Sequence, residues 1–198
     1  MNLPNKLTVS RLVLTLFFLV AVFRSFEWHN TVALVLFLVA SITDFFDGQI
    51  ARARKLITNF GILMDPLADK ILTCSAFIAL VERGVIEPKV GVQVHAWMVC
   101  VIVARELAIT GLRMMAASKN LVLAAEGYGK HKTISQMMCL TAMLVLVCLP
   151  EWGSTGVALF GTWLPWFCVV SIWITVLLTL FSGCMYLWNN RSLFLDDL

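Results

Sequence analysis

The chain has 198 residues, of which 60% are hydrophobic and 14% charged, and its mean hydropathy is +0.88. Soluble domains carry about 25% charged residues, so a fully water-facing surface is excluded and lipid must cover part of this chain. The formal net charge of +3 forms no dense basic stripe outside the apolar segments, which argues against nucleic-acid binding, and the length fits one domain, residues 1–198.

The first apolar run, residues 8–26, follows Lys6 and Arg11 in the manner of a signal peptide. No small-residue cleavage site follows it, and it closes on Phe23-Arg24-Ser25-Phe26-Glu27, so a retained first span is expected. Further runs at residues 31–53, 61–82, 92–116, 130–150 and 157–188 are each long enough for a helix of about 20 residues to cross the hydrocarbon core. They are continuous and do not alternate, which favours helices over a barrel. The expected fold is therefore all-α, with six transmembrane helices. Gly84, Gly91, Gly153 and Gly156 mark the outer turns.

Charge sets the orientation. Lys6, Arg11, Arg52, Arg54, Lys55, Arg113, Lys119, Lys130, Lys132 and Arg191 fall on one side, and Arg24, Arg83 and Lys89 on the other. Ten basic residues against three make the first side cytoplasmic, together with both termini. The six cysteines all lie in apolar stretches without CxxC spacing and read as small buried hydrophobes, with neither disulfides nor zinc expected.

The second and third runs carry the chemistry. They read Asp44-x-x-Asp47-Gly48-x-x-Ala51-Arg52, then, after eight residues, Gly61-x-x-x-Asp65-x-x-x-Asp69. The spacing i,i+3 puts Asp44 and Asp47 on one helical face, and i,i+4 does the same for Asp65 and Asp69. The short polar link at 54–60 makes the two helices antiparallel neighbours, so the four carboxylates can converge at the cytoplasmic end. Each would cost about 3 kcal/mol at bilayer depth if left charged and uncompensated. Divalent cations remove that cost, and hard oxygen ligands select magnesium, manganese or calcium. Gly48 and Ala51 keep the face open, and Arg52 offers a planar fork for phosphate oxygens. A single intramembrane Asp is as often structural as functional; four at these spacings are not. Lys70 has two readings, a partner for Asp69 or Asp44, or a side chain reaching to the interface.

The pattern from Asp44 to Asp69 resembles the signature of the CDP-alcohol phosphotransferase family, with every fixed position filled. The resemblance implies six transmembrane helices in a bacterial inner membrane, an active site facing the cytoplasm, a homodimer, two metal ions (Mg2+ or Mn2+) and a CDP-linked lipid donor. It makes Asp44, Asp47, Asp65 and Asp69 metal ligands, with Asp69 also the general base on the acceptor hydroxyl. It implies a donor site of Asn5, Thr8, Asp44, Asp47, Gly48, Ala51, Arg52 and Gly61; for Thr8 a helix-start role is an equal reading.

Five segments are similar to the bacterial members that transfer a phosphatidyl group from CDP-diacylglycerol to sn-glycerol 3-phosphate. They are Leu3-Pro4-Asn5-Lys6-Leu7-Thr8-Val9-Ser10-Arg11, Asp65-Pro66-Leu67-Ala68-Asp69-Lys70, Ala104-Arg105-Glu106-Leu107, Gly111-Leu112-Arg113 and Gly129-Lys130-His131-Lys132-Thr133. The likeness covers residues 3–135, and the apolar remainder adds little. An acceptor that carries a phosphate needs cations. Arg105 and Arg113 stand eight residues apart, about two turns on nearly one helical face, and Lys130 and Lys132 lie at the same membrane side. Against this, the lysines also read as orientation signals, and Arg105 beside Glu106 also reads as an internal ion pair. The same fold with inositol phosphate, serine or phosphatidylglycerol as acceptor is the nearest alternative. A small ion transporter is a remote one, because the carboxylates cluster at one face rather than spanning the membrane depth.

Overall fold

The computed structural model describes residues 3–54, 59–87, 90–118 and 127–191; the side chains of 3–8, 44–54, 59–69, 85, 117–118 and 127–130 are outside that description. Six helices follow in order: α1 (Leu3–Phe23), α2 (His29–Arg54), α3 (Asn59–Glu82), α4 (Ala96–Ser118), α5 (Gly127–Phe160) and α6 (Leu164–Asn189). The all-α expectation holds with one small addition. Val85–Glu87 and Val92–Gln93 pair as an antiparallel hairpin, β1–β2. Gly91 turns it at φ 73°, donating its N–H to the Glu87 carbonyl at 2.9 Å. The fourth span therefore begins at Ala96, not at 92, because Val92 and Gln93 are held in the hairpin.

The end of the fifth span also differs from expectation. The helix continues past 150 to Phe160 through a kink at Gly153 (φ 64°, ψ −151°), a backbone region open essentially to glycine alone. The last helix accordingly starts at Leu164 rather than 157, with Pro165 in its first turn, where a missing N–H costs nothing.

Helix α1 packs against both α2 and α3, α2 against α5, α5 against α6, and α4 against α6 and α3. One apolar core joins them, with Phe18, Phe37, Phe77, Leu80, Met98, Ile102, Leu140 and Met143 fully buried. Other apolar side chains point outward. On α6, Trp166, Val170, Trp173, Ile174, Leu177 and Phe181 recur every three or four residues and are all exposed. On α1, Val13, Leu16, Phe17 and Val20 do the same. An outer surface of this kind suits lipid, since monomeric soluble proteins rarely show contiguous apolar patches beyond a few hundred Å². Among the described residues, the α5 segment His131–Phe160 and the α6 segment Leu164–Asn189 are long and apolar enough to cross a membrane. Some helix hydroxyls are satisfied locally: Thr15 and Ser41 donate to the carbonyls four residues back.

The end of the bundle where α1 finishes and α2 begins is fastened by charge. The residue before α2, Trp28, sits at φ 64° and has no side-chain acceptor for the first amides of the helix. Glu151 of α5 serves instead. Its carboxylate accepts the N–H of Asn30 at 2.8 Å, the N–H of Thr31 at 2.9 Å and the Thr31 hydroxyl at 2.7 Å. Trp152 Nε1 donates to the same Thr31 oxygen at 2.9 Å. Nearby, Arg83 donates to the Val22 carbonyl at 3.0 Å, neutralising the end of α1. Replacing a helix cap with alanine costs about 0.5–2 kcal/mol, and bonds to a charged group cost more, about 1.5–3 kcal/mol. Glu151→Ala should therefore lower the unfolding free energy by about 1–3 kcal/mol. Denaturant unfolding of the purified protein in micelles checks this; an unchanged midpoint would show that Glu151 does not cap α2.

Candidate active site

The helix that carries Arg105 and Glu106 presents these neighbours about 100° apart around its axis, because an α-helix turns once in 3.6 residues. Glu106 faces inward between α3 and α5 and is 2% exposed. Its Oε2 pairs with Lys70 Nζ of α3 at 3.1 Å. Its Oε1 receives Lys132 Nζ of α5 in a close ion pair and Arg105 Nη1 at 3.4 Å. Three cations from three helices thus meet one carboxylate, and these four side chains together carry a charge of +2. Lys132 is itself 1% exposed. A buried ammonium needs such a partner, since removing one member of a buried pair typically costs about 3–5 kcal/mol.

Arg105 faces α6. Its Nη2 donates to Ser182 Oγ at 3.2 Å, while its Nε is buried without a hydrogen-bond partner. Gly183 lets the two helices approach here: a Cβ at that position would stand 2.8 Å from Arg105 Cγ. Two turns further along α4, Arg113 Nε donates to the Tyr186 hydroxyl at 3.3 Å, and its guanidinium lies 5.4 Å from the centre of that ring. The contacts Trp97 with Trp173, Arg105 with Ser182 and Arg113 with Tyr186 advance together along both chains, so α4 and α6 run in the same direction.

A cavity of about 330 Å³ adjoins the cluster through Lys70. Its polar wall is Arg11, Ser41, Lys70, Thr73, Thr133 and Gln136, and Leu72 and Met137 close its apolar side. The volume is at the lower end of the range for small-ligand sites, about 300–1,000 Å³. Gln136 is 3% exposed, and its amide nitrogen has no hydrogen-bond partner.

Of the residues expected to bind the acceptor phosphate, Arg105 and Lys132 meet at Glu106, and Arg113 stands apart on Tyr186. The side chain of Lys130 lies outside the described residues, as do those of Asn5, Thr8, Asp44, Asp47, Gly48, Ala51, Arg52, Gly61, Asp65 and Asp69. The backbone is helical through both Asp pairs, so Asp44 with Asp47 and Asp65 with Asp69 keep the registers of one helical face each. Lys70 pairs with Glu106, a partner that neither sequence reading of it named. Sequence reasoning also gave no role to Gln136, Ser182, Gly183 or Tyr186. A signal for α6 existed: Ser171, Thr175, Thr179, Ser182 and Tyr186 recur every three or four residues in an otherwise apolar helix, and all are buried.

A family model described as CDP-alcohol phosphatidyltransferase matches residues 1–181, and the chain belongs to that family. It is 35% identical over 207 aligned positions to the CDP-diacylglycerol–glycerol-3-phosphate 3-phosphatidyltransferase of Bacillus subtilis (strain 168), covering 96% of this chain and 95% of the relative. It is 32% identical to the protein of the same name from Salmonella paratyphi A (strain ATCC 9150 / SARB42), covering 99% of this chain and 98% of the relative. A third relative of that name, from Sodalis glossinidius (strain morsitans), is 29% identical over 96% of both chains.

The tight passage between Gly183 and Arg105 makes a separate test of the α4–α6 contact. Gly183→Ala should destabilise the fold by about 1–3 kcal/mol through overpacking. Adding Arg105→Ala removes the clashing Cγ, so the double variant should be more stable than the sum of the single ones by about 0.5 kcal/mol or more. Unfolding midpoints of the four proteins check this, and strict additivity would contradict the contact.

Proposed function

We propose that the chain transfers the phosphatidyl group of CDP-diacylglycerol to a hydroxyl of sn-glycerol 3-phosphate, giving phosphatidylglycerophosphate and CMP. The observation that carries this reading is the +2 cluster of Lys70, Arg105 and Lys132 on Glu106. It supplies fixed cations for a phosphate-bearing acceptor. Serine as acceptor would leave those cations without a phosphate to bind. The relatives' shared name points to the same pair of substrates.

The reaction forms a bond from the acceptor hydroxyl oxygen to the phosphatidyl phosphorus and breaks the bridging P–O bond of the diphosphate, releasing CMP. Asp69 takes the hydroxyl proton, a role typically worth about 10²–10⁴-fold. Arg52 binds phosphate oxygens of the donor, and Asn5, Thr8, Gly48, Ala51 and Gly61 complete the nucleotide site. Arg105, Lys132, Lys130 and Arg113 hold the acceptor's phosphate and so orient its hydroxyl.

Asp44, Asp47, Asp65 and Asp69 would hold two divalent ions, Mg2+ or Mn2+. The fit rests on the donor set: four hard carboxylates, spaced i,i+3 and i,i+4 on two helical stretches of backbone. When bound, the ions neutralise the diphosphate oxygens and stabilise the charge that develops on them. In the membrane, the proposal places six spans with both termini and the active site at the cytoplasmic face of the bacterial inner membrane, and two copies forming a homodimer.

CMP release from CDP-diacylglycerol, measured with a panel of acceptors, tests the reaction: sn-glycerol 3-phosphate should be used far better than serine, inositol phosphate, phosphatidylglycerol or plain glycerol, and preference for another acceptor would overturn it. Verified metal removal with EDTA should abolish turnover while the helical circular dichroism signal stays, because apolar packing rather than metal holds the bundle. Asp65→Asn should do the same at saturating magnesium; wild-type rates in that variant would remove Asp65 from the ligand set. Arg113→Ala should raise KM for glycerol 3-phosphate by roughly 10- to 150-fold, the loss of about 1.5–3 kcal/mol expected for a charge-assisted bond, and leave KM for CDP-diacylglycerol little changed. The reverse pattern would assign Arg113 to the donor.

A further inference from the structure

The reaction leaves the cavity among α1, α2, α3 and α5 without a role. We propose that this cavity holds the ester junction of the lipid donor, where an acyl carbonyl joins the glycerol, and that the Gln136 amide N–H donates to that carbonyl. The inference rests on CDP-diacylglycerol being the donor, and it makes Gln136 the residue that distinguishes ester-linked from ether-linked donors.

Three observations carry it: position, mouth and wall. Arg83, just past the end of α3, donates to the Val22 carbonyl near the end of α1. Helix α2 begins shortly after α1 ends, so α3 finishes where α2 starts. Ser41 precedes Asp44 by three residues on α2, and Thr73 follows Asp69 by four on α3, so both steps lead toward that same end. The cavity thus lies about one helical turn, roughly 5 Å, deeper than the backbone of the proposed metal ligands. In the donor, one phosphate ester oxygen, two glycerol carbons and one carboxyl ester oxygen separate the phosphorus from an acyl carbonyl carbon, a span of the same order. The mouth faces the apolar exterior. Ile134 and Met138, one turn apart on α5, both line the cavity and are 57% and 53% exposed. A lipid reaches such an edge sideways from the bilayer, whereas a water-soluble ligand must first cross apolar surface. At about 330 Å³ the cavity takes a segment of the lipid and leaves its chains outside. The wall, finally, has an unmet donor. Gln136 is 3% exposed, and its Nε2 has no hydrogen-bond partner. The Ser41 and Thr73 hydroxyls already donate, to the carbonyls of Phe37 at 2.7 Å and Lys70 at 3.1 Å, and require nothing of a ligand. A buried N–H left open is costly. An ester carbonyl meets it as an uncharged acceptor that brings no proton of its own and no ion to desolvate.

An N–H without a partner inside the protein does not support the fold. Gln136→Leu should therefore keep or raise the unfolding midpoint while weakening donor binding; a structural glutamine would lower the midpoint and leave donor binding alone. The test uses the full chain in nanodiscs of ether-linked phosphatidylcholine, where only the donor carries ester carbonyls. CMP release is measured with CDP-diacylglycerol and with an ether-linked CDP-dialkylglycerol of equal chain length. For the wild type, KM should be about three- to tenfold higher for the ether donor, the worth of one neutral hydrogen bond, at similar kcat. Gln136→Leu should raise KM for the ester donor by the same factor and leave KM for the ether donor and for glycerol 3-phosphate little changed, which erases the preference. Gln136→Met, unbranched like glutamine, should behave alike and decides if the leucine variant does not fold; failure of both to fold would make Gln136 structural and overturn the inference. A wild-type preference below about threefold, or one that survives in the variants, would also overturn it. A shift confined to KM for glycerol 3-phosphate would give the cavity to the acceptor, and an effect seen only in nanodiscs of ester-linked phosphatidylcholine would give it to bulk lipid; either overturns the inference. Turnover of CDP-diacylglycerol without an ester preference would overturn this inference alone. Absence of wild-type turnover of CDP-diacylglycerol would overturn the donor assignment and this inference with it.

Discussion

The buried Glu106 carboxylate constrains the bundle more than any single apolar contact does. Apolar packing tolerates sliding and rotation by fractions of a turn, because hydrophobic burial is non-directional. Ion pairs in a low-dielectric interior do not: an ammonium withdrawn from its partner there keeps its desolvation cost and loses the attraction that offset it. Lys70, Arg105 and Lys132 must therefore arrive at Glu106 together, which fixes the rotation and height of α3, α4 and α5 relative to one another. Lys70 follows Asp69 directly in the chain, so the register that seats Lys70 also sets where the acidic face of α3 ends. The proposed metal-bearing face and the proposed acceptor site are in this way built on one helix at a fixed offset.

Helix α6 answers a second demand, that Arg105 be held at both ends. One of its faces is polar and buried: Ser182 and Tyr186 accept from Arg105 and Arg113, and Gly183 gives the room for the first of these. Its other face is apolar and exposed, from Trp166 to Trp188. The helix is thus at once a lipid-facing wall and the back support of the cation cluster. The end of the bundle where α1 meets α2 is held by separate means, Glu151 capping α2 and Arg83 neutralising the end of α1, so the two ends of the bundle are fastened independently.

Much of this was legible in the sequence. Apolar runs interrupted by charge marked all six helices, since span length is set by bilayer thickness and charge by its exclusion from hydrocarbon. The Asp spacing and its flanking small residues pointed to the family, which the match over residues 1–181 bears out. Other features were not legible, for physical reasons. The break at Gly153 is a backbone event, and a glycine in sequence does not declare whether it turns a chain or lies in a helix. The hairpin at 85–93 is shorter than any periodicity can reveal. The meeting of Lys70 and Lys132 on Glu106 joins residues 62 apart in sequence across three helices, and no local pattern encodes a contact of that range. Tyr186 and Ser182 were hidden differently, as polar residues in a span whose apolar content dominated its reading.

The central claim is that the cation cluster between α3, α4 and α5 receives the phosphate of the acceptor. The most direct measurement is an experimental structure of the full chain in lipid nanodiscs with glycerol 3-phosphate bound. The account predicts phosphate density within hydrogen-bond distance of the Arg105 guanidinium and the Lys132 ammonium, with both still on Glu106. Phosphate density seated elsewhere, with Arg105 and Lys132 engaged by Glu106 and Ser182 alone, would contradict it.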